Sequence, residues 1–242
     1  MSIGVGIIGV RGRMGQALVS ALADWPGAHL AGGIDQGTAA QDLAGDVLVD
    51  FSSPDALAGS LAAAIARRCP IVIGSTGLDA DHHAAIDNAA QHIPVLQSAN
   101  MSLGVTLLAA LVRQAASILG PDWDIEILEM HHRHKVDAPS GTALLLGAAA
   151  AHGRGVDLAL EKVTGRDGIT SPRREGSIGF ACLRGGSVPG DHSVIFATED
   201  ERLEFSHHAQ SRAIFARGAI RAALWLVGKP AGRYTLPDVL GV

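Results

Sequence analysis

The chain has 242 residues and a net charge of −5 at pH 7, with 48% hydrophobic, 18% charged and only 4% aromatic residues. That hydrophobic content excludes a disordered chain, and the acidic balance lacks the basic surplus with which a nucleic-acid binder displaces counterions from phosphates. Two cysteines cannot build a disulfide framework, and no apolar run reaches the length of a membrane span; the expectation is a soluble cytoplasmic protein with a core of Ala, Val, Leu and Ile.

In chain order, residues 5–10 read as a buried strand, and 13–25 as a helix with Met14, Leu18, Leu22 and Trp25 on one stripe, stopped by Pro26-Gly27. Strands follow at 30–34 and 47–51. Ser53 as N-cap and Pro54 at the first helical position start a helix to about Arg68. Residues 71–73 are a fourth strand, 81–91 a helix and 94–97 a fifth strand. Strands alternating with helical crossovers predict a parallel sheet covered on both faces, a Rossmann-like α/β domain.

The second half has another rhythm. A helix at 103–119 ends at Gly120-Pro121, a strand at 125–130 leads into a polar loop, and 142–152 is an Ala- and Leu-rich helix. Strands at 178–183, 193–197 and 202–207 have no helix between them and predict an antiparallel or mixed sheet, an α+β arrangement. A helix at 212–227 closes the chain, and the tail from Tyr234 carries no signal. The expected domains are residues 1–101, with 212–242 returning to them, and residues 102–211.

Gly9, Gly12 and Gly15 lie at three-residue spacing where the first strand meets the first helix. Glycines there permit a tight turn and let backbone amides approach a pyrophosphate at a helix N-terminus. Arg11 stands where G-x-G-x-x-G has its second glycine. Asp35, twenty residues beyond Gly15 at the end of the second strand, is placed to accept hydrogen bonds from an adenosine ribose. Gly74-Ser75-Thr76-Gly77 follows the fourth strand and Ser98-Ala99-Asn100-Met101 the fifth, both at strand ends where open parallel sheets bind ligands.

The richest stretch runs from Glu129 to Thr142. Three histidines, Arg133 and one of the chain's three lysines fall within His131-His132-Arg133-His134-Lys135. Three imidazoles can bind zinc, but the interleaved cations repel a divalent ion, and no metal is expected. The alternative is a cationic pocket for a dianionic small molecule, with His and Lys as proton donors. Ser140-Gly141-Thr142 starts a helix whose first amides can receive a carboxylate. His207-His208, Arg184-Gly185-Gly186 and Asp191-His192 read as strand-end loop structure.

Gly9-Val10-Arg11-Gly12-Arg13-Met14-Gly15 is similar to the cofactor motif of the 4-hydroxy-tetrahydrodipicolinate (dihydrodipicolinate) reductase family, and Glu129 through Thr142 resembles that family's E-x-HHRHKVDAPSGTA signature almost letter for letter. The resemblance spans nearly the whole chain. It implies reduction of a cyclic imine dicarboxylate by NADH or NADPH on the diaminopimelate route to lysine, in a homotetramer joined through the second-domain sheet. By position it implies His131 and Lys135 as catalytic proton donors or acceptors, and His132, Gly141 and Thr142 as substrate-binding. Cofactor contacts fall on Gly9 through Met14, Asp35, Gln36, Gly74 through Thr76 and Ser98 through Met101. The chain departs from the family in a short segment between Asp35 and Val47, and in neutral Gln36 where many members have Arg; the expectation is that both nucleotides bind, NADH at least as well as NADPH. Another nicotinamide-dependent imine or oxo-acid reductase, a non-catalytic dinucleotide sensor and a zinc hydrolase are the competing readings.

Overall fold

The computed structural model describes residues 2–35 and 42–242, so Gln36 lies outside the described residues. It divides into two compact units, Met1–Leu103 with Arg212–Val242, and Gly104–Ser211.

A parallel sheet between two helix layers needs strands that are apolar on both sides. β1 (Ile3–Ile8), β3 (Val47–Asp50), β4 (Ile71–Ile73) and β5 (Pro94–Gln97) meet that need and are almost entirely buried. β2 (Ala28–Ile34) is half-exposed, as its place at the sheet edge permits. Helices α1 (Arg13–Ala23), α2 (Leu57–Ala66) and α3 (Ala80–Ala90) connect or follow these strands. The helix expected from Ser53 starts differently. Ser53 makes no side-chain cap; Pro54–Ala56 form a 3₁₀ turn, and the α-helix begins only at Leu57.

In the second unit, α4 (Leu103–Leu119) leads to β6 (Asp124–His131), α5 (Gly141–Arg154), α6 (Leu158–Glu161), β7 (Lys162–Val163), β8 (Ile178–Arg184), β9 (Asp191–Ala197) and β10 (Arg202–His208). Neither α6 nor β7 was expected; at four and two residues they are too short to show a period. The sheet runs β10-β9-β6-β8-β7 and is mixed, with β6 parallel to β8 and antiparallel to β9. Ile125, Ile127, Ile178, Phe180, Val194 and Phe196 form a core on one face with Leu108, Val112 and Ala116 of α4 and Leu146 and Ala150 of α5. Arg173 spans Asp124 and Glu126, and Arg166 grips Glu126 with two bonds of 2.8 and 2.9 Å, tying the segment before β8 to β6.

The chain then returns to the first unit with α7 (Ala213–Leu226), β11 (Gly232–Tyr234) and α8 (Leu236–Leu240). The tail from Tyr234 that carried no signal in the sequence therefore builds structure, Tyr234 ending β11, which pairs in parallel with β5, and α8 burying Leu236 and Val239. The completed sheet has the order β11-β5-β4-β3-β1-β2. Alternate strand residues feed two cores. Val5, Ile7, Val47, Val49 and Val72 meet α1 and α7; Leu48, Ile71, Ile73 and Val95 meet α2 and α3. Each fully buried Leu, Ile or Val side chain contributes roughly 1.5–3 kcal/mol over leaving it in water. With few aromatics, α7 approaches closely through Ala216, Ala219, Ala222 and Ala223, all fully buried. No helix of the described residues is long and apolar enough to cross a membrane.

Candidate active site

In the first unit the expected ligand residues share the carboxyl edge of the sheet. Gly9 follows β1 with φ of +85°, and a Cβ there would lie 2.9 Å from the Phe51 carbonyl oxygen, so this turn closes against the end of β3 only without a side chain. Gly12 is the N-cap of α1 and donates its N–H to the Gly9 carbonyl at 3.1 Å. A Cβ on Gly15 would run into the carbonyls of Gly9 and Val10. β1 lies between β2 and β3, so the turn opens where the strand order reverses, the position at which doubly wound sheets take their ligands. Met14 packs into the core, Val10 packs beneath Gly33, and Arg13 is exposed at the start of α1.

Asp35 sits just past β2, and Arg11 closes on it. The Arg11 amide donates to both carboxylate oxygens at 3.1 and 3.3 Å, and its Nε donates to Oδ2 at 3.0 Å. The Arg11 side chain is 80% exposed, against 20% for Asp35. The sequence places Asp35 to accept hydrogen bonds from an adenosine ribose; in the structure Arg11 already donates to both of its oxygens. Gly74 follows β4 and lies against the Phe51 ring, Ser75 is buried with its Oγ unpartnered, and Thr76 is exposed. After β5, the Ser98 N–H donates to the Ile73 carbonyl at 3.1 Å and its Oγ to the Asn100 carbonyl at 2.7 Å; Ala99 is exposed. Met101 differs from its neighbours. It is 2% exposed, its side chain lying in the core and its carbonyl oxygen against Gly218 of α7. A glycine cradle that a Cβ would fill, next to a buried unpartnered hydroxyl, fits a dinucleotide.

In the second unit, β6 places Ile125, Ile127, Glu129 and His131 on the covered face, since strand side chains alternate. The apolar stripe thus ends in a carboxylate and an imidazole. Glu129 is 0% exposed, and four donors converge on it. His131 Nδ1 and Arg184 Nη1 reach Oε2 at 2.5 and 2.9 Å; Arg184 Nη2 and the Ser140 N–H reach Oε1 at 2.8 and 3.2 Å. Burial alone would raise the Glu129 carboxyl, but the bonds from Arg184 and His131 outweigh it and hold the group below the usual carboxylate range. An ionised carboxylate only accepts, so His131 donates through Nδ1 and turns Nε2 outward. Gly190, at φ +156°, makes room there: a Cβ on it would stand 3.0 Å from His131 Nε2.

Ser140 caps α5, accepting from the Ala143 N–H at 3.2 Å, and its Oγ pairs with His192 Nε2 at 3.1 Å. The His192 ring meets His131 edge-on at 5.1 Å. Burial, then the nearby His131, push its pKa down to about 4, so it is neutral at pH 7. Gly141 is exposed at the helix start, and a Cβ there would meet nothing within 4 Å; Thr142 follows it. Lys135 Nζ donates to both oxygens of Asp137 at 2.8 and 2.9 Å, and this bond first of all holds the Asp137 carboxyl low. His132 is half-buried with Nδ1 unpartnered, its ring 6.3 Å from that of His134.

His131 and Ser140, the cap just before Gly141 and Thr142, therefore bond one carboxylate, and Lys135 lies on the loop between them. Arg184 and His192, read from sequence as strand-end loop structure, belong to this network, and Glu129, Asp137 and Gly190 were given no role. A signal for Glu129 was present: on a strand, Glu-x-His puts both side chains on one face. Among the described residues, no group of three His, Cys, Asp or Glu is placed to hold a metal ion.

A doubly wound sheet with a glycine turn at its switch point, continued by a mixed-sheet unit bearing a histidine–carboxylate network, defines a Rossmann-type oxidoreductase. The family model "Dihydrodipicolinate reductase, N-terminus" matches residues 3–101 and "Dihydrodipicolinate reductase, C-terminus" matches residues 104–240. The chain belongs to the dihydrodipicolinate reductase family. It is 54% identical to the 4-hydroxy-tetrahydrodipicolinate reductase of Zymomonas mobilis, over 100% of this chain and 98% of that one. It is 51% identical to 4-hydroxy-tetrahydrodipicolinate reductase 1 of Mesorhizobium japonicum, over 99% and 97%. The fold matches that of a dipicolinate-bound dihydrodipicolinate reductase from Paenisporosarcina sp. TG-14, with a TM-score of 0.78 at 20% identity over 97% of this chain and 98% of that one.

Proposed function

We propose that the chain reduces 4-hydroxy-tetrahydrodipicolinate to tetrahydrodipicolinate with NADH or NADPH, on the diaminopimelate route to lysine. The observation that carries the reading is His131, its Nδ1 committed to a buried carboxylate beside the start of α5. A reduced nicotinamide supplies the hydride. Gly9 through Met14 would hold the pyrophosphate, Asp35 the adenosine ribose, and Gly74–Thr76 with Ser98–Met101 the nicotinamide end. On the substrate, the 4-hydroxyl leaves as water with a neighbouring carbon-bound proton, and hydride addition at C4 leaves the anion of an enamine. Protonation of that enamine at carbon restores the imine. His131 Nε2 and Lys135 Nζ are the proton donors, and the cationic loop stabilises the negative charge that develops. His132, the amides of Gly141 and Thr142 and the Thr142 hydroxyl bind the carboxylates. Loss of NADH or NADPH absorbance with enzymatically generated substrate tests the reading; turnover of simpler imino acids, with none of the dicarboxylate, would overturn it.

The helix start makes a separable prediction. Thr142→Val is expected to raise KM for the dicarboxylate by about 3- to 15-fold, the worth of a hydrogen bond, with little change in kcat. Gly141→Leu should raise it further while leaving the melting temperature nearly unchanged, because a Cβ there has no protein atom within 4 Å. Steady-state kinetics and a thermal melt read both.

The reading includes a cytoplasmic homotetramer joined through the second-unit sheet. What supports the assembly is that sheet's other face, where exposed Leu128 pairs in register with exposed Ala181, and exposed Leu183 lies two residues further along the same strand. Light scattering should give four times the 24.9 kDa chain mass, and Leu183→Glu should lower it; a wild-type monomer refutes the assembly.

A further inference from the structure

Glu129 touches no group assigned to substrate or cofactor except through His131 and Ser140, yet it is the most buried acid of the second unit and satisfies four donors with two oxygens. A buried carboxylate carries a desolvation cost and is strongly destabilising once a partner is removed, so a site that only needed packing has cheaper solutions in apolar side chains. Its neighbours show what the charge does. In sheet register Glu129 lies between Cys182 of β8 and His192 of β9, while His131 lies opposite Arg184. Arg184 reaches Glu129 as a two-pronged fork and also donates to the Asp137 carbonyl at 2.7 Å, which fixes the end of the His132–Asp137 loop.

We propose that Glu129, clamped by Arg184, is a positioning residue: it locks His131 in the tautomer whose Nδ1 carries a hydrogen and whose Nε2 exchanges the proton, and through Ser140 it fixes the start of α5 relative to that nitrogen. The carboxylate, the imidazole, the Ser140 cap and His192 form a closed ring, from Glu129 to His131 by Nδ1, from His131 to His192 by the edge-on ring contact, from His192 to Ser140 Oγ, and from the Ser140 N–H back to Glu129. Held neutral by burial, His192 pairs with Ser140 without competing with His131 for the proton. Such an arrangement disfavours the alternative tautomer, which would face the carboxylate with a bare Nδ1, and the ring flip, which would take Nδ1 away from it.

The role rests on the reductase reading, and one of its two tests does not depend on turnover. In ¹⁵N spectra of wild-type protein, His131 is expected to show a protonated Nδ1 with a far-downfield bonded hydrogen. That resonance should vanish in Glu129→Gln, whose amide cannot satisfy four donors. In kinetics, Glu129→Gln should lower kcat roughly 10- to 1000-fold, as removing the carboxylate partner of a catalytic histidine does elsewhere, with unchanged Kd for NADH. Arg184→Lys keeps the charge but loses the fork, and is expected to retain more activity than Arg184→Met. It also serves if Glu129→Gln fails to fold. A wild-type His131 protonated at Nε2 with Nδ1 bare overturns the proposal, as does Glu129→Gln turnover within about twofold of wild type. Wild-type protein that leaves the dicarboxylate unreduced but shows the Nδ1–H resonance would refute the reductase reading and leave the positioning geometry standing.

Discussion

Lys135→Ala is expected to lower kcat by roughly 10²–10⁴, the usual cost of losing a positioned general acid, with NADH affinity within about twofold of wild type. Lys135 is no free surface cation. Its side chain is 19% exposed, and its ammonium is held by both oxygens of Asp137, whose carboxyl the contact keeps ionised. An ion pair with an exposed acid contributes little stability, so the lost lysine should show in turnover rather than in the melt. His131→Ala should act in the same direction. Arg184 still satisfies both oxygens of Glu129 when the imidazole is gone, so the buried carboxylate keeps its main partner and the fold survives. The residues assigned to the dinucleotide belong to the other compact unit, which is why its Kd should not move. Stopped-flow hydride transfer and fluorescence titration of NADH check the two halves separately. Near-wild-type turnover in both variants would remove His131 and Lys135 from proton delivery.

Much of the first unit is legible in the sequence because its strands are buried on both faces. Runs such as Val47-Leu48-Val49 and Ile71-Val72-Ile73 have no alternation to confuse with a surface, and turn residues bound them. Legibility fails where tertiary pairing, not local pattern, creates an element. Gly232-Arg233-Tyr234 has no strand signature of its own; it becomes β11 because Pro94 to Leu96 offers an open edge. The start of α2 fails for another reason. Ser53-Pro54 satisfies the residue preferences of a helix start, but preference does not decide whether the serine side chain reaches an amide, and here it does not.

The site divides the same way. His131 through Thr142 is readable since its unusual residues are contiguous in the chain. Arg184 and His192 become part of it only when sheet register sets strands 55 and 52 residues away beside Glu129 and Ser140. Composition cannot register a strand; only the alternation of Ile125, Ile127, Glu129 and His131 hinted that an acid would be buried beneath the histidine.

Arg11→Ala is expected to weaken NADPH by about 5- to 150-fold and to leave NADH within about threefold of wild type, the former being the 1–3 kcal/mol of a charge-assisted bond. The acid that would bind the ribose hydroxyls of NADH repels the 2′-phosphate of NADPH, and a dinucleotide enzyme accepting both must offset that charge. Arg11 is placed to do so. It neutralises Asp35 through Nε at 3.0 Å, and its 80% exposed side chain keeps the remaining guanidinium donors available to a phosphate. Arg13, exposed at the start of α1, adds a second cation nearby. Removing Arg11 therefore does two things to NADPH, withdrawing a partner from its phosphate and uncovering the Asp35 charge. To NADH it does one small thing, freeing the carboxylate lone pairs that the ribose uses. Salt should act on the wild type in the same sense, weakening NADPH more than NADH, because screening reaches exposed charges within about 10 Å at 0.1 M. Equilibrium titration of both nucleotides, for wild type and Arg11→Ala at two ionic strengths, reads the four quantities together. Equal weakening of the two nucleotides would mean that Arg11 only braces the turn, and NADPH would then have to find its cation elsewhere.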